Sequence, residues 1–169
     1  YDDASGGTTS VVFFDEGEYT IGLQATDRDG RVATDTATVS VSNVAPIVSL
    51  DETKFANEAE EISFLASARD PGHDVLLYEW DFGDGSVRVL DTLSPKHTYF
   101  DNGDYTVRLR VRDNDDGLSE ASMIVHVMNL PPIVDAGLDR VTNEGDLVTF
   151  SGSATDPAGD LDTLTYAWD

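Results

Sequence analysis

Aspartate is the side chain in this sequence with the most chemistry to offer. It clusters in Asp70-Pro71-Gly72-His73-Asp74 and in Asp113-Asn114-Asp115-Asp116, and an amide, Asn43, stands upstream in Ser42-Asn43-Val44. Carboxylate and amide oxygens are hard ligands, and calcium takes about six to eight of them in flexible geometry. Asn43, Asp70, Asp74, Asp113 and Asp115 are therefore the candidate metal-binding set, with Ca2+ the cofactor they would suit. No EF-hand-like spacing joins them, so the set exists only if the fold gathers three separate segments. The competing reading is that these carboxylates are solvated turn residues capping nearby amides.

Catalytic patterns are missing. His73, His97 and His126 fall in a loop, in the segment before Tyr99 and at an outward strand position, and no nucleophile elbow or HExxH places them with a partner. Without cysteine there is no disulfide framework, zinc-thiolate site or thiol nucleophile. Paired carboxylates for glycoside cleavage need a deep cleft that a small all-strand unit rarely has. The expectation is that the chain is not an enzyme.

The charge narrows the partners. The 169 residues hold 33 acidic and 10 basic side chains, a formal charge of −23. Such a surface repels phosphate backbones and anionic membranes, so nucleic acid is excluded and cations are favoured. No run of about 18 apolar residues is present, which excludes membrane insertion through a helix. Lysine occurs only as Lys54 and Lys96, and 24 of the acids are Asp against 9 Glu. An Asp surplus points to a loop-rich fold, and it also suits a surface adapted to high salt. The chain opens Tyr1-Asp2-Asp3 without methionine or leader and reads as a piece of a longer polypeptide.

The elements that must position these residues show a period of two. Ile62, Phe64, Ala66 and Ala68 alternate with Glu61, Ser63, Leu65 and Ser67, and Tyr105, Val107, Leu109 and Val111 alternate with Thr106, Arg108, Arg110 and Arg112. Alternation of this kind marks half-buried strands, and turn clusters such as Gly83-Asp84-Gly85 and Asp101-Asn102-Gly103-Asp104 separate them. The pattern also repeats. Phe14-Asp15-Glu16-Gly17-Glu18-Tyr19-Thr20-Ile21 recurs as Phe100-Asp101-Asn102-Gly103-Asp104-Tyr105-Thr106-Val107, an offset of 86, and Tyr78-Glu79-Trp80-Asp81 returns as Tyr166-Ala167-Trp168-Asp169 after a two-residue insertion.

A repeat of this size with roughly seven short strands fits an immunoglobulin-like sandwich. The expected architecture is all-β: tandem antiparallel sandwiches, one complete over residues 45–130 and two partial, 1–44 as the back part of one copy and 131–169 as the front part of another. Trp80 is the expected core anchor and Trp168 its counterpart, Tyr105 and Tyr19 read as tyrosine corners, and Phe14 and Phe100 are expected to pack beneath them. Half sandwiches expose strand edges, so the two ends should be less stable than the middle or should pair with each other.

The segment Tyr78-Glu79-Trp80-Asp81-Phe82-Gly83-Asp84-Gly85-Ser86, followed by His97-Thr98-Tyr99 and Gly103-Asp104-Tyr105-Thr106-Val107, closely resembles the polycystic-kidney-disease (PKD) domain and its WDFGDGS signature. The resemblance implies tandem extracellular modules of microbial surface proteins and secreted hydrolases, some of which hold calcium between modules. In such a sandwich the incoming linker, the second-to-third and the sixth-to-seventh strand loops meet at one end. That would gather Asn43, Asp70, Asp74, Asp113 and Asp115, whereas after Asn129 only Asp156, Asp160 and Asp162 remain, without the second loop.

The expected function is a noncatalytic extracellular or cell-surface spacer or adhesion module, stiffened by calcium and contacting other surface proteins and neighbouring modules of the same polypeptide. The alternative is a polysaccharide-binding accessory to a secreted protease or glycoside hydrolase. Sugar binding usually needs an exposed aromatic strip, and the tryptophans read as core.

Overall fold

The computed structural model describes residues 7–169 and contains strands and one short 3-10 turn among them, with no α-helix. Strands β1 (Gly17–Thr26) and β2 (Val32–Val41) lead, and β3 (Ile47–Leu50), β4 (Lys54–Asn57), β5 (Glu61–Ser63), β6 (Ala66–Arg69) and β7 (Leu77–Asp81) follow. Next come β8 (Val89–Leu90), β9 (Lys96–Thr98), β10 (Gly103–Arg112), β11 (Leu118–Met128), β12 (Ile133–Asp135) and β13 (Ser153–Thr155).

Strands β3 to β11 make a two-layer sandwich. One sheet has the order β4-β11-β10-β7-β8, antiparallel except where β4 runs parallel to β11. The facing layer consists of the pairs β3-β6 and β5-β9, which Phe64 N and Ala66 N join by donating to Pro95 O and Leu93 O, each at 2.9 Å. The expected seven strands appear as nine pieces for a physical reason. At Asp51 the chain leaves its ladder with β6 and crosses to the sheet of β11, and the second strand is interrupted where its partner changes from β9 to β3.

Alternation becomes burial here. Ile62, Phe64 and Ala66 are buried, as are Val107, Leu109 and Val111 on β10 and Met123, Val125 and Val127 on β11, while their neighbours face out. Trp80 is 0% exposed, beside Phe64, Phe82 and Tyr99, and its indole Nε1 donates to Thr92 O at 2.8 Å. Full burial of each large ring removes about 1.5–3 kcal/mol of apolar exposure, so this cluster dominates the core.

The WDFGDGS segment is a scaffold element. Gly83 has φ +81°, and a Cβ there would stand 2.6 Å from Thr106 O. Only glycine fits that approach. Asp84 accepts from Ser86 N at 3.0 Å and meets His97 Nε2 at 2.7 Å; the imidazole stacks on Phe82 and Tyr99 Oη donates to Phe82 O at 3.0 Å. His97 is thus a bracing residue, with its polar atom satisfied.

Strands β1 and β2 pair only with each other, and so do β12 and β13. Among the described residues no ladder links the two ends, so the expected end-to-end pairing is not seen there. Both tyrosine corners form: Tyr19 Oη donates to Asp15 O at 2.9 Å and Tyr105 Oη to Asp101 O at 2.8 Å.

Two expectations for aromatic rings are corrected. Phe14 and Phe100 do not pack beneath the corners; they are 54% and 60% exposed. The preceding residues take that space, Phe13 against Tyr19 at 4.3 Å and Tyr99 against Tyr105 at 4.2 Å, and alternation turns the next ring outward. Trp168 is not a core residue like Trp80, since it is 60% exposed beside Phe150. Trp80 is covered through β10 and β11.

Candidate metal centre

The antiparallel register places Gly17 opposite Val41, so Asp15 and Glu16, just before β1, lie beside Ser42 and Asn43, just after β2. Strand β6 delivers Asp70 at its end, and β10 delivers Asp113. Because β6 and β10 belong to facing layers, their following loops meet at one end of the sandwich, where Val75 N donates to Asn114 Oδ1 at 3.0 Å.

Two of the carboxylates, Asp70 and Asp113, are held by local backbone. Asp70 Oδ1 accepts from Gly72 N at 2.6 Å. Asp113 Oδ1 accepts from Asp115 N at 3.0 Å and Gly117 N at 2.6 Å, and Asp113 Oδ2 accepts from Asn43 Nδ2 at 3.0 Å. Two glycines let the segments approach: a Cβ at Gly72 would lie 2.9 Å from Phe14 O and from Asp74 Oδ2, and one at Gly117 would lie 2.9 Å from Ala45 Cα. Neither space has room for a side chain.

Two sets of oxygens result. Asp70, Asp74 and Asp113 offer carboxylate oxygens within 4.8 Å of one another, and so do Asp15, Asp74 and Asp115. Asp74 belongs to both. Two buried oxygens have no protein partner, Asp70 Oδ2 and Glu16 Oε2. A small cavity between hairpin and loop is lined by Phe14, Glu16, Asn43, Pro71, Gly72 and Asp74.

Crowding of negative charge shows in the proton affinities. For Glu16 a hydrogen bond from its own amide pulls the carboxyl down, but Asp115, partial burial and Asp15 outweigh it and raise it to about 6. Asp74 is raised by desolvation first and then by Asp70 and Asp115. Asp113 moves the other way. Its burial works against the charge, yet the amide of Asn43 and the backbone N–H groups of Gly117 and Asp115 hold it below the ordinary aspartate range.

An oxygen-only donor set, two orphaned buried oxygens and mutually repelling carboxylates fit a hard divalent cation such as calcium. Asp70, Asp74, Asp113, Asp115 and Asp15 could hold it. Asn43 in this arrangement points its Nδ2 donor at Asp113, so to act as a ligand its amide must rotate to present Oδ1.

All five residues singled out in the sequence arrive at this junction. The sequence reading missed Asp15 and Glu16. Hairpin pairing was the signal for them, because a strand start must lie beside the end of its antiparallel partner.

Comparison with known proteins gives consistent relatives. The family model of the PKD domain matches residues 43–128. The human dyslexia-associated protein KIAA0319 is 27% identical over 169 residues, spanning 92% of this chain and 16% of that protein. Collagenase ColA of Clostridium perfringens is 35% identical over 75 residues, 44% of this chain and 7% of that enzyme. Among solved structures, the PKD1 domain of Vibrio anguillarum Epp matches at 25% identity with a TM-score of 0.43, covering 51% of this chain and 96% of that one. The chain therefore spans about one sixth or less of these curated relatives.

Proposed function

The chain belongs to the PKD domain family, and from that premise we propose that it is a noncatalytic spacer or adhesion segment of an extracellular or cell-surface protein, with its module junction stiffened by calcium. We read residues 45–130 as one complete module, 1–44 as the back part of a preceding copy and 131–169 as the front part of a following one. Support for the copies comes from the repeat offset and from the two tyrosine corners, whose hydroxyls donate in the same pattern to Asp15 O and Asp101 O. The match to KIAA0319 also extends well beyond residues 43–128.

One observation carries the reading: carboxylates from the first hairpin, from the loop after β6 and from the loop after β10 converge at a single junction. A divalent ion there would cancel repulsion among groups contributed by both sides of the linker. Its release would leave those groups pushing the two sides apart, so bending stiffness would follow calcium.

The relatives named as collagenase and chitinase support a second role, an accessory that contacts polysaccharide or protein for a catalytic partner. Burial of Trp80 withdraws that ring from sugar stacking, and the convergence of carboxylates at the junction favours the spacer role, which is the one we retain.

Small-angle scattering of the chain with calcium and with chelator tests the proposal. A narrower distance distribution in calcium is expected. Superimposable curves would remove the ion from the mechanism.

A further inference from the structure

The outward face of the sheet formed by β11, β10, β7 and β8 gathers cations that are scarce elsewhere. Alternation buries Val107, Leu109 and Val111 and turns Arg108, Arg110 and Arg112 out along β10, about 7 Å from one to the next. Arg88, just before β8, stands beside them. Four of the ten basic residues thus share one face of a chain whose formal charge is −23. The fold does not require this, because one repeat earlier the equivalent positions of β1 hold Gly22, Gln24 and Thr26.

Their neighbours separate the four arginines. Arg88 pairs with Glu79 and Asp81, while Arg108 and Arg110 share Glu120 at 3.7 and 2.8 Å. Arg112 is less committed. The strand register sets it between Leu77 and Leu118, and its one ion pair among the described residues is with Asp116 at 3.1 Å, a side chain that is 89% exposed. A pair so open to water contributes little. Leu77, Leu90 and Leu118, each more than half exposed, line a groove of about 400 Å³ to which Arg110 and Arg112 bring positive charge and Glu79 and Asp91 negative.

We propose that this groove docks an acidic, apolar peptide segment of a partner protein, with hydrocarbon against the leucines and a carboxylate on the Arg112 guanidinium. Charge complementarity calls for the anion: the planar guanidinium matches a carboxylate through two parallel hydrogen bonds, and apolar neighbours strengthen the pair by lowering the local dielectric. The leucines call for the hydrocarbon. An apolar patch framed by charge marks a contact surface, and a charged polysaccharide would leave it uncovered. The inference rests on the adhesion part of the proposed function and names its partner chemistry. No carboxylate of the calcium junction takes part.

Fluorescence polarisation of the whole chain, in chelator, with labelled peptides of alternating Leu and Glu tests it. Counterparts carry Gln for Glu or Ser for Leu. Only the Leu-Glu peptide should bind saturably, and Arg112→Gln should weaken it about tenfold or more. Arg112→Lys, which keeps the charge and loses the planar fork, should fall between. Arg28→Gln, which removes an exposed cation elsewhere, should bind like the parent. Amide NMR of the parent should show Leu77, Leu90 and Arg112 moving on peptide addition, a readout that needs no variant. No binding by the parent, equal binding of the three peptides, shifts confined to other strands, or equal affinities in Arg112→Gln and Arg28→Gln would overturn the proposal. Displacement by polygalacturonate, or self-association that Arg112→Gln abolishes, would give the groove to a polysaccharide or to a second copy and overturn it equally. Because calcium is withheld throughout, failure here is distinct from failure of the scattering test.

Discussion

Replacing Asp113 by asparagine keeps the volume of the side chain and removes its charge. The buried carboxylate accepts from Asp115 N, Gly117 N and Asn43 Nδ2, so the carboxamide must face three donors with one acceptor oxygen. Hydrogen bonds to a charged acceptor contribute about 1.5–3 kcal/mol and neutral ones about 0.5–1.5 kcal/mol, so the calcium-free variant should lose about 2–4 kcal/mol once non-additivity is allowed for. The second consequence is linkage. A site of Kd about 10⁻⁴–10⁻³ M in about 10 mM calcium adds roughly 1.4–2.7 kcal/mol to the folded state. For a unit the size of the middle sandwich that is a rise in melting temperature of about 5–20 °C. Thermal unfolding followed by near-ultraviolet circular dichroism, with chelator and with calcium, reads both quantities. The parent should gain that rise, and Asp113→Asn should lose most of it. Molar sodium chloride should stabilise parent and variant alike, because screening does not need the site. Equal calcium gains in both proteins, or a gain that sodium chloride fully reproduces, would refute the reasoning.

Three further outcomes follow from the geometry. Glu16 is raised from 4.5 to about 6 in the fold, so without calcium its contribution is full below about pH 4.5 and is lost as pH rises through 6; calcium needs the ionised form, so the calcium-induced rise in melting temperature should be larger at pH 7 than at pH 5, and equal rises would count against the site. Gly83→Ala should destabilise by about 2–4 kcal/mol in urea unfolding, because strain adds to a clash with Thr106 O, whereas Gly85→Ala, with open space around its Cβ, should cost about 1 kcal/mol; similar losses would contradict the close approach. Tyr99→Phe should cost about 1–3 kcal/mol by leaving Phe82 O buried without its donor, and a neutral result would mean that this bond contributes nothing net.

Much of the molecule was legible in the order of its residues. Alternation along Ile62–Ala68 and Tyr105–Val111 fixed which side chains face the core, because successive side chains on a strand must point to opposite sheet faces. The offset between Tyr19 and Tyr105 identified the corner that each tyrosine makes, since that bond spans only four residues. Asn43, Asp70, Asp74, Asp113 and Asp115 could be chosen because sandwich topology sends their segments to one end.

Tertiary structure decided the rest. Glu16 and Glu58 look like ordinary surface acids in the sequence, and only hairpin pairing, for Glu16, hints at a special place. Each is distinguished only by an oxygen that packing has sealed from water without supplying a partner, and that is a property of segments meeting in space.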